Sequence, residues 1–232
     1  MSNYSPDTIA LFTTLKMAGI STLFLVLFGT PLAWALARMQ SSFKVVLEAL
    51  VALPLILPPT VLGFYLLLAF SPQSLPGELW QEVTGQQLAF SFSAIVIGSI
   101  LYSLPFVVQP LQKAFEQLGD DLLEAAATLK AGPIDRFVHI VLPMTKGSFI
   151  TACSLAFAHT VGEFGVVLMI GGNIPGETRV LSMALFDHVE AFNYQQAHFL
   201  AGGLLLAAMI LLSLIYLLNR RSSMNNTSSG TN

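Results

Sequence analysis

Five long apolar stretches limit what this 232-residue chain can fold into. A helix needs about 20 mostly apolar residues to cross the hydrocarbon core of a bilayer. The stretches cover residues 19–37 (extendable back to residue 8), 45–70, 92–111, 147–171 and 199–218. Only 10% of the residues are charged, whereas a soluble domain carries about 25%. The sequence therefore predicts an all-α, polytopic membrane protein with about five transmembrane helices.

The basic residues predict the orientation of these helices, because Lys and Arg favour the cytoplasmic side. Eight of the ten basic residues fall in the 37–44 loop, the 112–146 loop and the end of the chain: Arg38, Lys44, Lys113, Lys130, Arg136, Lys146, Arg220 and Arg221. The opposite side has only Arg179, and Lys16 lies in the outer part of the first stretch. We expect the N-terminus outside and the C-terminus in the cytoplasm.

The chain reads as one transmembrane domain, 1–221, followed by a polar tail, 222–232. The tail is uncharged after Arg221 and is predicted to be disordered. On the outer side, residues 180–192 are semi-apolar and are expected to form an interfacial helix or a re-entrant turn.

Three prolines interrupt the second apolar stretch, at Pro54, Pro58 and Pro59. Proline removes a backbone donor and should break this span near its start. Irregular backbone at membrane depth is tolerated only where other protein groups or a water-filled cavity supply hydrogen bonds to its N–H and C=O groups. The prolines therefore indicate a transport pathway.

The 112–146 loop predicts two short helices joined by a tight turn. Asp120, Asp121 and Glu124 suit the start of a helix because of its dipole. Gly132 is placed to end that helix, and Pro133 suits the first turn of the next one. By these criteria alone, an ordinary surface hairpin between two spans remains an alternative.

The same loop resembles the cytoplasmic "EAA" loop of bacterial ABC importer permeases, which docks on the ATPase subunit. The resemblance rests on Glu124-Ala125-Ala126 and on the Ile-x-Leu-Pro motif ending at Pro143. The family has glycine six residues after the glutamate, where this chain has Lys130. The resemblance implies a set of ATPase-coupling residues: Glu124, Ala125, Ala126, Gly132, Ile140, Leu142 and Pro143.

Other segments resemble the molybdate and sulfate permeases within this group. Leu53 to Gly63 is similar to their second span, and Gly162-Glu163-Phe164-Gly165 is shared by both. The segment from Asn173 to Arg179 resembles the molybdate (or tungstate) permeases, whereas sulfate permeases generally diverge there. The resemblance implies a type I ABC importer fold and a homodimer in the bacterial inner membrane.

The resemblance also implies partners. Two ATPase subunits are expected on the cytoplasmic side, and a molybdate-binding protein is expected outside. ATP and magnesium belong to the ATPase, so this chain is expected to hold no cofactor, and no nucleic acid is expected as a partner.

Candidate pathway and outer-segment residues are the following: Pro54, Pro58, Pro59, Glu163, Asn173, Pro175, Gly176, Glu177, Thr178 and Arg179. Glu163 is an acid inside a span, where acids are costly, and it fits either a gate or a structural carboxyl. Arg179 fits contact with the binding protein or attraction of the oxyanion. The local alternative is an ion pair with Glu177 or Asp187.

The sequence argues against a metal site or a catalytic site in this chain. His159 and Glu163 have a spacing that suits a metal, but no third ligand is identifiable, so no metal site is predicted. No His-Glu-x-x-His or Gly-x-Ser-x-Gly motif supports an intramembrane enzyme, and the chain has no phosphate-binding loop of its own. No Lys or Arg lies in the middle of a span, which leaves hydroxyl and backbone N–H groups as anion donors.

Other assignments remain open at this point. Tungstate, sulfate or thiosulfate fit the chain as alternative substrates. A structural membrane scaffold is the alternative from another class, although it would not need a proline-broken span.

Overall fold

The computed structural model describes residues 5–119 and 121–228, whose secondary structure consists of helices joined by turns and loops, with no strand among them. Asp120 and residues 229–232 of the tail lie outside these ranges. The helices, in chain order, are α1 Pro6–Arg38, α2 Phe43–Ile56, α3 Pro59–Phe70, α4 Leu75–Thr84, α5 Phe92–Gln117, α6 Asp121–Thr128, α7 Pro133–Arg136, α8 Leu142–Val161, α9 Gly165–Gly171, α10 Leu181–Glu190 and α11 Tyr194–Ser228. A five-residue π-helix, Phe137–Val141, joins α7 to α8.

Among the described residues, four helices are each long and apolar enough to cross a bilayer, and the bent pair α2 and α3 makes five if it is counted as one span. The contacts show that this bent pair traverses the bundle. At its start, Lys44 lies 2.8 Å from Glu116, at the last turn of α5. At its end, the carbonyl of Phe70 accepts from Ala89, just before α5 begins. The prediction of about five transmembrane helices is confirmed.

The sequence predicts a break near the start of the second span. The structure instead has the break at the middle of the span. The helix axis turns by 112° between α2 and α3. Pro54 is accommodated inside the last turn of α2, and the break falls at Leu57, which is extended at φ −69° and ψ 136°. Pro58 causes this, because a residue before proline is driven out of helical conformation. Pro59 then occupies the first turn of α3, where its missing N–H costs nothing.

The fourth span begins earlier than the apolar pattern predicts and is also broken. Its helix starts at Pro133 rather than at residue 147 and continues to Val161. The second short helix of the predicted hairpin is therefore the first turn of this span. The helix stops before Glu163 and resumes as α9 at Gly165.

Two helices lie at the end of the bundle opposite α6. α4 was not predicted. α10 resolves the alternatives for residues 180–192 in favour of a helix, and its buried Leu181 and Ala184 pack with Ala10 of α1. The last helix, α11, continues to Ser228, so the tail up to that residue is helical where disorder was predicted.

Close packing of α1, α5, α8 and α9 forms the centre of the molecule. In lipid, helices associate through van der Waals contact and hydrogen bonds rather than through the hydrophobic effect. Small residues at the contacts serve this purpose, since a side chain added at Gly29 of α1 would come within 3.0 Å of Val107 on α5. The core thus holds the broken spans against two unbroken ones.

Candidate functional site

The turn between α6 and α7 has a defined geometry that differs in detail from the sequence prediction. The N–H of Ala131 donates to Ala126, and the N–H of Lys130 donates to Ala127, at 3.1 and 2.9 Å. This pair of bonds is a Schellman motif, which ends a helix with one left-handed residue. That residue is Lys130, at φ 62°. Gly132 does not end α6; it precedes α7 with an ordinary φ of −67°.

The hairpin is fixed to the bundle by an aromatic anchor that the sequence did not reveal. Leu123 is buried and belongs to the same apolar cluster as Phe137 and Trp34. The Trp34 ring meets the Phe137 ring edge-on at 5.7 Å between centroids. Arg136 donates to the carbonyl of Leu123 at 3.3 Å. The only sequence signal for this anchor was an isolated tryptophan near the end of the first span.

The opposite face of the hairpin is exposed and largely apolar. Leu129 is 83% exposed and Ile134 is 79% exposed, while Glu124 and Ala125 are also exposed. A shallow depression beside them is lined by Gly132, Pro133, Ile134, Asp135, Val138 and His139. We call this face the hairpin surface.

The predicted coupling residues divide between the hairpin surface and the span that follows it. Glu124, Ala125 and Gly132 are exposed, and Ala126 is half-buried, beside the turn that its carbonyl helps to close. Leu142 and Pro143 are exposed at the start of α8, whereas Ile140 packs against the core.

The two helix breaks lie directly against each other. A Cβ added at Gly165, the first residue of α9, would stand 2.7 Å from the Cβ of Pro59, the first residue of α3. One added at Gly63 would stand 2.8 Å from the Cβ of Met169. Real Cβ atoms do not approach that closely, so both glycines are needed for α3 to lie on α9. The structure therefore brings Pro58, Pro59 and Glu163 into one region, which we call the paired breaks.

Glu163 is sealed inside the paired breaks. Its side chain is 4% exposed. Neither carboxylate oxygen has a hydrogen bond of normal geometry among the described residues, although the Ser99 hydroxyl is close enough to interact with it. Its backbone carbonyl accepts a 2.6 Å bond from Ser182 of α10. This bond connects α10 to the break in the fourth span.

A cluster of neutral polar groups lies next to Glu163, between α5 and α8. The hydroxyl of Ser103 is 2.8 Å from Nδ1 of His159 and 3.1 Å from the hydroxyl of Thr160. The described residues contain no group of three or more potential metal ligands. Sequence reasoning considered His159 only as a metal ligand and missed Ser103, because serine in an apolar helix gives no distinctive pattern.

The 173–179 segment is a tight turn held by its own side chains. Thr178 is fully buried, donates to the carbonyl of Gly171 and accepts from the N–H of Ile174. The turn's tip, Pro175-Gly176-Glu177, is exposed.

Arg179 pairs with Asp187 at 2.6 Å, which is the local alternative considered above. The side-chain amide of Asn173 also donates to Asp187, at 3.1 Å. Arg179 thus connects the turn to α10, and its side chain is only 19% exposed.

A broken second span, a broken fourth span and an exposed hairpin between the third and fourth are the features to compare with known proteins. The family described as "Binding-protein-dependent transport system inner membrane component" matches residues 29–222. This chain belongs to that family. The protein is therefore a multi-pass permease of the inner membrane, and the hairpin lies inside the matched region.

Of three relatives of this permease, two are named as molybdenum transport permeases and one as a sulfate transport permease. The molybdenum transport system permease protein ModB of Azotobacter vinelandii is 54% identical and covers 90% of this chain and 93% of its own. ModB of Escherichia coli K12 is 35% identical over 80% of this chain and 81% of its own. The sulfate transport system permease protein CysT of the same organism is 34% identical over 94% and 78%.

Solved structures confirm the ABC importer permease fold. A bacterial transporter that imports the acidic polysaccharide alginate superimposes with a TM-score of 0.75 over 94% of this chain and 80% of its own, at 16% identity. The methionine transporter MetNI gives a TM-score of 0.68 over 91% of this chain and 94% of its own, at 15% identity. At such identities the comparison speaks for the fold alone.

Proposed function

We propose that this permease moves molybdate across the inner membrane into the cytoplasm as the channel-forming subunit of an ABC importer. The observation that carries the proposal is the 54% identity to a molybdenum permease over 90% of the chain. The sulfate permease reaches only 34%. Coverage supports the same choice, since the match spans 93% of the molybdenum permease and 78% of the sulfate permease.

The hairpin surface is where two ATPase subunits would dock, one on each copy of the chain. Its exposed Leu129 and Ile134 offer an apolar contact, and interfaces of this kind bury apolar residues at their centre. The aromatic anchor at Trp34 supports this role. A hairpin fixed to the bundle transmits movement of the ATPase to the membrane spans. ATP and magnesium would be bound by the ATPase and not by this chain.

The opposite end of the bundle would receive a molybdate-binding protein. The 173–179 turn and α10 are exposed there, and the turn is rigid because Thr178 and Asp187 hold it. An alginate transporter of the same fold is described in complex with a substrate-bound periplasmic protein, which supports this kind of partner.

The pathway would run past the paired breaks, between two copies of the chain. Ile56, beside the break, is 81% exposed. Broken backbone does not face lipid, so this surface is expected to line the pathway or to meet the second copy. Glu163 would then act as a buried element of the gate.

Sulfate is the second candidate substrate, because the molybdenum and sulfate permeases of Escherichia coli K12 are almost equally similar to this chain. The deciding experiment is uptake of labelled molybdate by sealed vesicles containing the chain, its ATPase and its binding protein. We expect ATP-dependent uptake that unlabelled molybdate or tungstate suppresses at far lower concentration than sulfate. Suppression by sulfate at equal or lower concentration would reject molybdate as the substrate.

A further inference from the structure

The neutral polar cluster lies at the mid-depth of the membrane-spanning bundle. Ser103 is near the centre of α5, and its side chain and that of Thr160 are fully buried. Ser103 connects Thr160 to His159, and His159 is half-buried. Histidine in a membrane span almost always faces the bundle interior or a water-filled cavity. A half-buried histidine at this depth therefore indicates an aqueous surface rather than lipid.

Two aromatic rings and one hydroxyl fix the orientation of the His159 ring. The ring lies against Tyr102 and Phe106, at 4.7 and 4.2 Å between centroids. Ser103 holds Nδ1. Nε2, on the other side of the ring, has no hydrogen-bond partner among the described residues. It is also not one of the fully buried side-chain atoms that lack a partner. This nitrogen is available to a ligand.

The contacts of Ser103 with His159 and Thr160 admit a tautomer that presents the ring proton at Nε2. A neutral imidazole carries one N–H, and the other nitrogen accepts. When Thr160 donates to Ser103 and Ser103 donates to Nδ1, the ring proton is at Nε2. The cluster then offers a neutral donor in a fixed direction, with Ser103 as the residue that positions it.

We propose that His159 donates this Nε2 hydrogen to the oxyanion as it passes through the bundle. The proposal rests on the proposed function. A neutral donor suits transit, because it gives the anion a hydrogen bond without the strong attraction of a buried cation. The middles of the spans contain no Lys or Arg. Glu163, one turn further on, is sealed and presents no carboxylate to the same surface.

The test compares three substitutions at one position in the complete transporter. His159→Gln keeps an N–H donor, His159→Phe keeps the aromatic stack, and His159→Met keeps neither. We expect His159→Phe and His159→Met to lower molybdate uptake per ATP hydrolysed by roughly tenfold, the usual effect of one hydrogen bond to a charged group. His159→Gln should stay within about threefold of wild type. Binding-protein-stimulated ATP hydrolysis should remain in all three.

Two results would overturn the proposal. One is His159→Phe uptake equal to wild type. The other is equal loss in His159→Gln and His159→Phe that follows a loss of assembled complex, which is the signature of a structural role. If His159→Phe does not assemble, the ratio of His159→Gln to His159→Met decides in the same way. Absence of molybdate uptake by the wild-type complex would instead reject the proposed function.

Discussion

At the scale of single residues, the informative positions are those where a side chain occupies a conformation or a contact that its type does not favour. Lys130 is the clearest case, with a left-handed φ of 62° at the end of α6. Left-handed backbone costs a residue with a Cβ about 1–2 kcal/mol. The resemblance to the EAA loop implies glycine at this position, and the left-handed backbone gives that expectation a structural reason.

Lys130→Gly should stabilise the hairpin by about 1 kcal/mol, because glycine adopts positive φ without strain. Lys130→Ala is the matched control, since it removes the charge but keeps the Cβ. Hydrogen exchange of the α6 amides in the purified complex measures the effect. If both variants slow exchange equally, the charge is responsible and the backbone argument is wrong.

Arg179 and Asp187 should behave as one unit. Arg179→Ala leaves Asp187 without its cation, and Asp187→Asn removes the charge from the other side, so each should loosen the turn onto α10. We expect similar reductions in uptake and no further loss in the double variant. A defect of Arg179→Ala that Asp187→Asn does not reproduce would show that Arg179 acts directly on the substrate or the binding protein.

At the scale of elements, the paired breaks depend on close contact between α3 and α9. Gly165→Ala places a Cβ where it overlaps Pro59, so the breaks must separate. We expect a loss of about 1–3 kcal/mol, typical of overpacking, and reduced uptake. Gly19→Ala is the control, since nothing lies within 4 Å of the added atom. Thermal unfolding of the purified complex compares them, and equal stability of the two variants would contradict the close contact.

The elements also show what a sequence can and cannot predict here. The number of spans followed from apolar length, and the break in the second span followed from Pro58 and Pro59. Its place at mid-span did not follow, because Pro54 fits inside α2 while Pro58 does not. The break at Glu163 had only a weak signal in Gly162 and Gly165. The His159–Ser103 contact joins residues 56 apart, which no local pattern predicts.

At the scale of the whole molecule, the orientation in the membrane rests on the distribution of basic residues. Single cysteines at Glu177 and Glu82 should react with an impermeant thiol reagent added to intact cells, because both residues are exposed and predicted to be outside. A cysteine at Leu129 should not react. Cys153→Ser removes the background thiol. Labelling at 129 but not at 177 would reverse the orientation.

The central claim is that ATPase subunits act through the hairpin surface to drive molybdate through the bundle. The most direct measurement is simultaneous molybdate uptake and ATP hydrolysis in sealed vesicles carrying Leu129→Glu or, as control, Val83→Glu. Leu129 and Val83 are 83% and 85% exposed, so neither change should disturb the core. We expect Leu129→Glu to lose ATPase association and uptake together, and Val83→Glu to keep ATPase association. Wild-type ATPase association and uptake in Leu129→Glu would contradict the account.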